Sequence, residues 1–124
     1  MNDKTAMRPW GSYTELLNDT SCKVKSILVN PGQRISLQMH KHRIEHWTIV
    51  SGEGELELGW APSSLKKRRV KAGSACKIAK KQIHRITNTS STEPLVFIEV
   101  QRGESFEEED IVRYEDDYGR ALQT

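Results

Sequence analysis

Gly32-Gln33-Arg34-Ile35-Ser36-Leu37-Gln38-Met39-His40-Lys41-His42-Arg43-Ile44-Glu45-His46-Trp47-Thr48-Ile49-Val50-Ser51-Gly52 places three of the chain's four histidines, an amide and a carboxylate between two glycines. Neutral imidazole nitrogens, with carboxylate or amide oxygens, are the ligands that a borderline divalent metal prefers. His40 and His42 are two residues apart, so on an extended strand both point to one face, and Gln38 shares their parity. A helix suits this spacing poorly, because residues two apart on a helix diverge. The residues alone leave two readings open: a metal site, or surface histidines on a polar hairpin.

The surrounding sequence is that of one well-solvated domain. Its 124 residues suffice for a single core. A formal net charge of +2 gives no field that would argue for nucleic acid or a membrane as partner. Charge is nonetheless uneven: Lys66-Lys67-Arg68-Arg69 with Lys71 forms a basic run, and Glu107-Glu108-Glu109-Asp110 an acidic one. Both read as solvated loops or edges. Cys22 and Cys76 are isolated and no CxxC spacing exists, which argues against a disulfide framework or a zinc knuckle. No apolar leader or membrane-length apolar window is present, so a reducing cytoplasm is the expected compartment.

Residues 1–12 read as an arm, with turn chemistry at Arg8-Pro9-Trp10-Gly11. Strands are expected within 21–30, over Ile35–Met39 and Glu45–Val50, and over Glu55–Gly59. Further strands are expected over Ala75–Ala79, His84–Asn88 and Leu95–Gln101. Asn30-Pro31-Gly32 and Ser51-Gly52-Glu53-Gly54 are turns between them. Trp60–Lys71 reads as a polar, basic loop that ends in a short strand at Arg69–Lys71, and Ser105–Ile111 is the one stretch with a hint of helix. Short, evenly spaced strands separated by turn signals indicate an all-β sandwich or barrel.

Downstream, Gly73 is followed by Cys76, Ile78 and Ala79, then by His84 and Asn88. With both segments in view, the chain resembles the cupins. Their first motif is glycine, five residues, His-x-His, three or four residues, glutamate, six residues and glycine; Gly32, Gln38, His40, Glu45 and Gly52 take those places, with Gln38 replacing the first histidine. In the second motif Gly73, Ala79, Lys81, His84 and Asn88 fall in register, with Ala79 and Lys81 replacing a proline and a glycine. The resemblance implies a cupin double-stranded β-helix, a jelly-roll barrel, in a single domain. Residues 1–20 would be an N-terminal arm, 21–101 the barrel and 102–124 a C-terminal extension. It also implies Gln38, His40, Glu45 and His84 as metal ligands and leaves His42 outside the set, against simple parity.

Gln38-Met39-His40-x-His42-Arg43-x-Glu45-His46-Trp47 is similar to the signature of the type II mannose-6-phosphate isomerase domain. That domain is usually the C-terminal part of a bifunctional enzyme with mannose-1-phosphate guanylyltransferase. Arg8-Pro9-Trp10-Gly11-Ser12-Tyr13, Glu99-Val100-Gln101-x-Gly103-Glu104 and the run from Asp110 to Arg120 agree with it. No Gly-rich nucleotide loop is present, so the expected activity is the isomerase alone. The resemblance implies a metal-dependent aldose–ketose isomerase that interconverts mannose 6-phosphate and fructose 6-phosphate. The alternative is a non-catalytic metal cupin that binds a sugar phosphate or sugar nucleotide, or regulates a partner enzyme.

Zinc is the expected ion on ligand type, with iron, manganese, cobalt or nickel compatible with the same set. Glu99, on the polar side of the last strong strand, is the candidate general base; its alternative is a wall partner for Lys25, itself a weaker candidate. His42 is a further candidate base or support, and Trp47 reads as barrel lining. Arg43, Arg113 and Arg120 are the candidate phosphate ligands, since arginine offers a fork that matches phosphate. The expected partners are a small sugar phosphate and, by family analogy, a second copy in a homodimer.

Overall fold

From Cys22 to Val29, Lys23, Lys25, Ile27 and Val29 are buried while the residues between them are partly exposed. Strand side chains alternate with period two, so each strand shows the interior one row of residues. From Arg43 to Ser51 the inward row is Arg43, Glu45, Trp47 and Ile49, and from Leu95 to Gly103 it is Leu95, Phe97, Glu99 and Gln101. Every row is apolar at one end and ionisable at the other.

The computed structural model describes residues 4–120, which form eleven strands and no α-helix. These are β1 (Thr5–Arg8), β2 (Gly11–Asn18), β3 (Cys22–Val29), β4 (Leu37–Met39), β5 (Arg43–Ser51), β6 (Glu53–Ala61), β7 (Ser64–Lys71), β8 (Ala75–Ile78), β9 (Ile83–Asn88), β10 (Leu95–Gly103) and β11 (Val112–Glu115). They build two antiparallel sheets, in the orders β1-β2-β3-β10-β5-β8 and β11-β4-β9-β6-β7. The all-β expectation holds.

Register aligns the inward rows. Lys25, Glu99 and Trp47 are neighbours across β3, β10 and β5, and so are Lys23, Gln101 and Glu45 one step along. The apolar ends, with Ile27, Val29, Ile49, Leu95 and Phe97, join Leu56 and Ile86 of the other sheet in one core. The ionisable ends face the remaining part of the interior. The fold therefore has a dry end and a polar end.

Three expectations change. Residues read as an arm supply β1 and β2, which extend the larger sheet, and Trp10 between them is a core residue at 8% exposure. Alternation on one aromatic is too faint a signal to separate a docked arm from a sheet strand. Trp60–Lys71 is no loop: β6 runs on to Ala61 and pairs with β7 along its length. Much of this hairpin is exposed, so its charges show no apolar alternation, yet Glu53, Glu55 and Glu57 lie opposite Lys71, Arg69 and Lys67. Opposite charges in register stabilise an exposed pair of strands. Ser105–Ile111 has no helix; turns carry the chain from β10 to β11, and Asp110 is fixed instead by other contacts described below.

The motif positions have backbone explanations. Gly52 turns the chain between β5 and β6 at φ +88°, where an added Cβ would lie 2.5 Å from the Pro94 carbonyl oxygen. Asn88 is buried and donates from Nδ2 to the carbonyls of Val29 (2.9 Å) and Glu93 (2.8 Å), tying the end of β3 to the loop before β10. Lys81 stands where the cupin pattern has glycine, and it keeps the glycine conformation at φ +66°. Its N–H donates to the His40 carbonyl at 2.7 Å, so the turn survives the substitution.

A left-handed conformation costs a non-glycine residue about 1–2 kcal/mol, and glycine's greater chain entropy offsets about half of that. Lys81→Gly is expected to raise stability by roughly 0.5–1 kcal/mol, read as a higher midpoint in urea.

Candidate metal centre

Gln38 on β4 is the register partner of His84 on β9, and Arg113 on β11 lies opposite Gln38 on the other side. One rung of the smaller sheet thus presents an arginine, an amide and an imidazole together. His40 follows the end of β4, and Glu45 comes from β5 across the interior. His40, Glu45 and His84 are all buried, and one ligand atom of each lies within 4.8 Å of the others.

The rings are oriented for coordination. His40 Nδ1 meets the Asp110 carbonyl at 2.6 Å, and His84 Nδ1 meets the Gln82 carbonyl at 2.9 Å. A carbonyl only accepts, so both rings carry their proton on Nδ1 and leave the Nε2 lone pair for the interior. Burial lowers both pKa values against the pull of Glu45, that of His84 to about 4. Both imidazoles are therefore neutral, the form a metal needs. The two rings sit 5.2 Å apart between centroids.

Glu45 is 1% exposed. Burial opposes its ionisation, but the Arg43 guanidinium and the Trp47 N–H favour the charged form and hold the carboxyl below the usual carboxylate range. Its Oε1 accepts from Trp47 Nε1 and its Oε2 from Arg43 Nε, each at 2.9 Å. Arg43 also reaches His40 Nε2 at 3.3 Å and the Glu107 carbonyl at 3.4 Å. The guanidinium thus occupies lone pairs that an ion would take, and ion binding has to displace it from them. Ligands about 2.0–2.2 Å from a tetrahedral ion lie roughly 3.3–3.6 Å from one another, so a small inward movement of the three side chains completes the geometry. Gln38 Nε2 donates to the Ser36 carbonyl at 3.2 Å, which leaves its oxygen as a fourth donor. The donor set fits a divalent ion.

These residues line a cavity of about 100 Å³ that Trp47 and Phe97 close on the core side. Glu99 lines it too, 6% exposed, with its pKa pushed up to about 8, first by burial and then by the Glu45 charge. Gln101 Nε2 donates to Glu99 Oε2. Lys25 is its register partner but not its ion pair: Lys25 Nζ lies 2.6 Å from Glu108 Oε2 and 4.0 Å from the Tyr13 ring centroid. Ser36 Oγ and Arg113 Nε, both on the cavity wall, are buried without a hydrogen-bond partner.

His42 needs correction. It is exposed, outside this cavity, in a surface groove with Asp110. Strand parity does not carry across residues 40–42, because they form the turn between β4 and β5. The candidate phosphate arginines separate as well: Arg43 is committed to Glu45, Arg120 makes a two-bond fork with Asp116 at 2.8 and 2.9 Å, and Arg113 has no ion pair among the described residues. Arg8, Tyr13 and Glu108 also line the cavity. The sequence reading missed all three as site residues, although Arg8 and Tyr13 lie in the stretch Arg8–Tyr13 singled out there.

A family model described as mannose-6-phosphate isomerase C-terminal matches residues 1–116. Xanthan biosynthesis protein XanB of Xanthomonas campestris is 42% identical over 113 residues, covering 91% of this chain and 23% of the relative. Alginate biosynthesis protein AlgA of Pseudomonas aeruginosa is 40% identical over 116 residues, 94% of this chain and 23% of the relative. Mannose-1-phosphate guanylyltransferase ManC of Salmonella typhimurium is 37% identical over 91% of this chain and 22% of its own. The chain thus spans less than a quarter of these curated relatives. Among solved structures, the capsular polysaccharide assembling protein CapF of Staphylococcus aureus matches at TM-score 0.78 and 21% identity, over 90% of this chain and 34% of that one. A double-stranded β-helix protein of Klebsiella pneumoniae matches at TM-score 0.67 and 22% identity, over 94% and 89%. These two likenesses establish the fold.

Glu99 gives the metal-free protein a testable pH dependence. Its folded pKa of about 8 lies above the ordinary 4.5, so the folded state holds a proton that the unfolded state has lost between those values. Its contribution is full below 4.5 and is lost as pH rises through about 8. Urea titrations of chelated protein are expected to show Glu99→Gln gaining stability over wild type as pH rises from 5 to 8, with the two converging toward pH 4.5.

Proposed function

The chain belongs to the mannose-6-phosphate isomerase C-terminal family, and we propose that it is a metal-dependent isomerase interconverting mannose 6-phosphate and fructose 6-phosphate. The observation that carries this reading is one cavity holding the triad His40, Glu45 and His84 beside Glu99, a buried carboxyl poised near neutrality. His40, Glu45 and His84 would hold the ion, with the Gln38 amide oxygen as fourth donor. A bound divalent ion, zinc by ligand type and iron, manganese, cobalt or nickel by the same set, would supply Lewis acidity toward the sugar's carbonyl and hydroxyl oxygens.

The chain's own residues supply the proton transfer. Isomerisation moves the C2 proton of the open-chain aldose to C1 and the O2 hydroxyl proton to O1, through an enediol. In this proposal Glu99 takes the C2 proton and delivers it to C1. Without an ion its pKa of about 8 leaves both forms populated near neutral pH, and the positive charge of a bound ion would favour the carboxylate that takes the proton. Gln101, donating to Glu99, fixes which carboxylate oxygen is turned away from the sugar. Trp47 and Phe97, packed with ring centroids 4.4 Å apart, form the dry wall behind the reacting carbons. The guanylyltransferase activity named for ManC forms no part of this proposal.

Zinc-loaded protein is expected to convert mannose 6-phosphate to fructose 6-phosphate in a coupled assay, to stop when chelated and to recover on adding zinc. His84→Ala is expected to lose stoichiometric metal and turnover together. Glu99→Gln is expected to keep the metal while kcat falls about 10²- to 10⁴-fold, the usual range for loss of a general base. Sugar-phosphate binding without exchange of the C2 hydrogen into solvent would replace this reading with that of a non-catalytic metal cupin.

A further inference from the structure

We propose that Arg8 and Arg113, brought together by the N-terminal hairpin and the C-terminal strand β11, form the phosphate-monoester subsite at the mouth of the cavity. This deepens the isomerase reading and rests on it for the identity of the sugar.

Arg113 is the unusual residue. Its Nε is buried with no hydrogen-bond partner, and it makes no ion pair among the described residues. An unanswered buried donor on a charged group is costly, so a native structure retains one where something else supplies the acceptor. Desolvation and then the nearby charge of Arg120 push its pKa down, with Arg8 adding to the repulsion. The carboxylates whose charge reaches it are engaged elsewhere. Asp116 is gripped by Arg120 through two bonds. Glu108 is divided among Lys25 at 2.6 Å, Lys23 at 3.9 Å and Arg8 at 3.9 Å. Arg8, Lys25, Arg113 and Arg120 therefore converge on the cavity with fewer acids than cations.

Arg8 is held ready rather than consumed. Its Nη1 donates to the Met7 carbonyl at 2.9 Å and its Nη2 to the Tyr13 hydroxyl at 3.2 Å, while its guanidinium carbon lies 4.9 Å from the Tyr13 ring centroid. These contacts leave its Nε–H uncommitted. A phosphate monoester carries two negative charges near neutral pH and accepts from several donors at once, which suits two converging guanidinium groups.

Placement fits the same ligand. Arg113 and His84 flank Gln38 on one rung, two strand spacings or roughly 10 Å apart across the sheet. An extended six-carbon sugar spans such a gap, with its reactive end at the triad and Glu99 and its phosphate at the mouth. Arg43 is excluded from this role because Glu45 and His40 engage it at the other end.

The test is calorimetric binding of inorganic phosphate, mannose 6-phosphate and unphosphorylated mannose to the full chain, with and without chelator. Mannose 6-phosphate is expected to bind at least tenfold more tightly than mannose, and added salt is expected to weaken it. Arg113→Met and Arg8→Met are each expected to weaken mannose 6-phosphate and inorganic phosphate about tenfold and to leave zinc binding unchanged. If Arg113→Met does not fold, Arg8→Met carries the test alone, since its side chain is partly exposed. Mannose binding as tightly as its phosphate, or phosphate affinity unchanged in a folded variant, overturns the subsite. Phosphate binding that depends on these arginines in a protein without turnover keeps the subsite and removes the isomerase. Turnover with an unchanged KM in both variants does the reverse.

Discussion

Glu45 is an ionised carboxylate at 1% exposure, and the polar end of the barrel is arranged around that fact. A buried charge costs several kcal/mol unless other groups answer it. The answers come from its own strand: Arg43 and Trp47 flank Glu45 on β5 and each donates to one carboxylate oxygen. Arg43 is the protein's own cation beside this carboxylate. Removing either of these donors leaves the carboxylate partly unanswered. Glu99 follows the same rule: with burial against it and the Glu45 charge nearby, it takes up a proton, and its hydrogen-bond donor is the neutral Gln101 amide rather than a cation.

Two peripheral segments make the centre complete. Asp110, after β10, accepts the backbone N–H groups of Lys41 and His42 with its carboxylate and offers its carbonyl to His40 Nδ1. One residue of the C-terminal segment therefore sets both the turn and the tautomer of a candidate ligand. Arg85 extends the attachment, donating to the Ile35 carbonyl and to Glu115 at the end of β11. On the other side, the β1–β2 hairpin inserts Trp10 into the core and swings Arg8 to the cavity mouth. Segments that look like trimmings on a barrel thus supply the walls of its cavity.

Trp47 links stability to chemistry. Its ring packs against Phe97 in the core, its edge meets His84 at 5.8 Å, and its N–H holds Glu45. One side chain is at once the end of the hydrophobic interior and the start of the polar one. Lys25 and Glu99 stand beside it in register, so the change from apolar to ionisable residues falls within one step of Trp47 on β3, β5 and β10.

The sequence by itself determined the all-β class and the places of the main strands, because strand alternation is a local pattern; the grouping of Gln38, His40 and Glu45 with a distant His84 came from the resemblance to the cupin motifs. It also pointed to Glu99 through its parity on β10. It misplaced His42, since parity holds only inside a strand and a turn separates His40 from Arg43. It read the β6–β7 hairpin as a loop, since an exposed pair of strands needs no apolar alternation. Arg8, Tyr13 and Glu108 stayed hidden because they meet the cavity from elements about a hundred residues apart in the chain. Which arginine is answered and which is left open was likewise beyond the sequence. Asp116, Glu108 and Glu45 could each have paired with several cations, and only the folded distances choose among them.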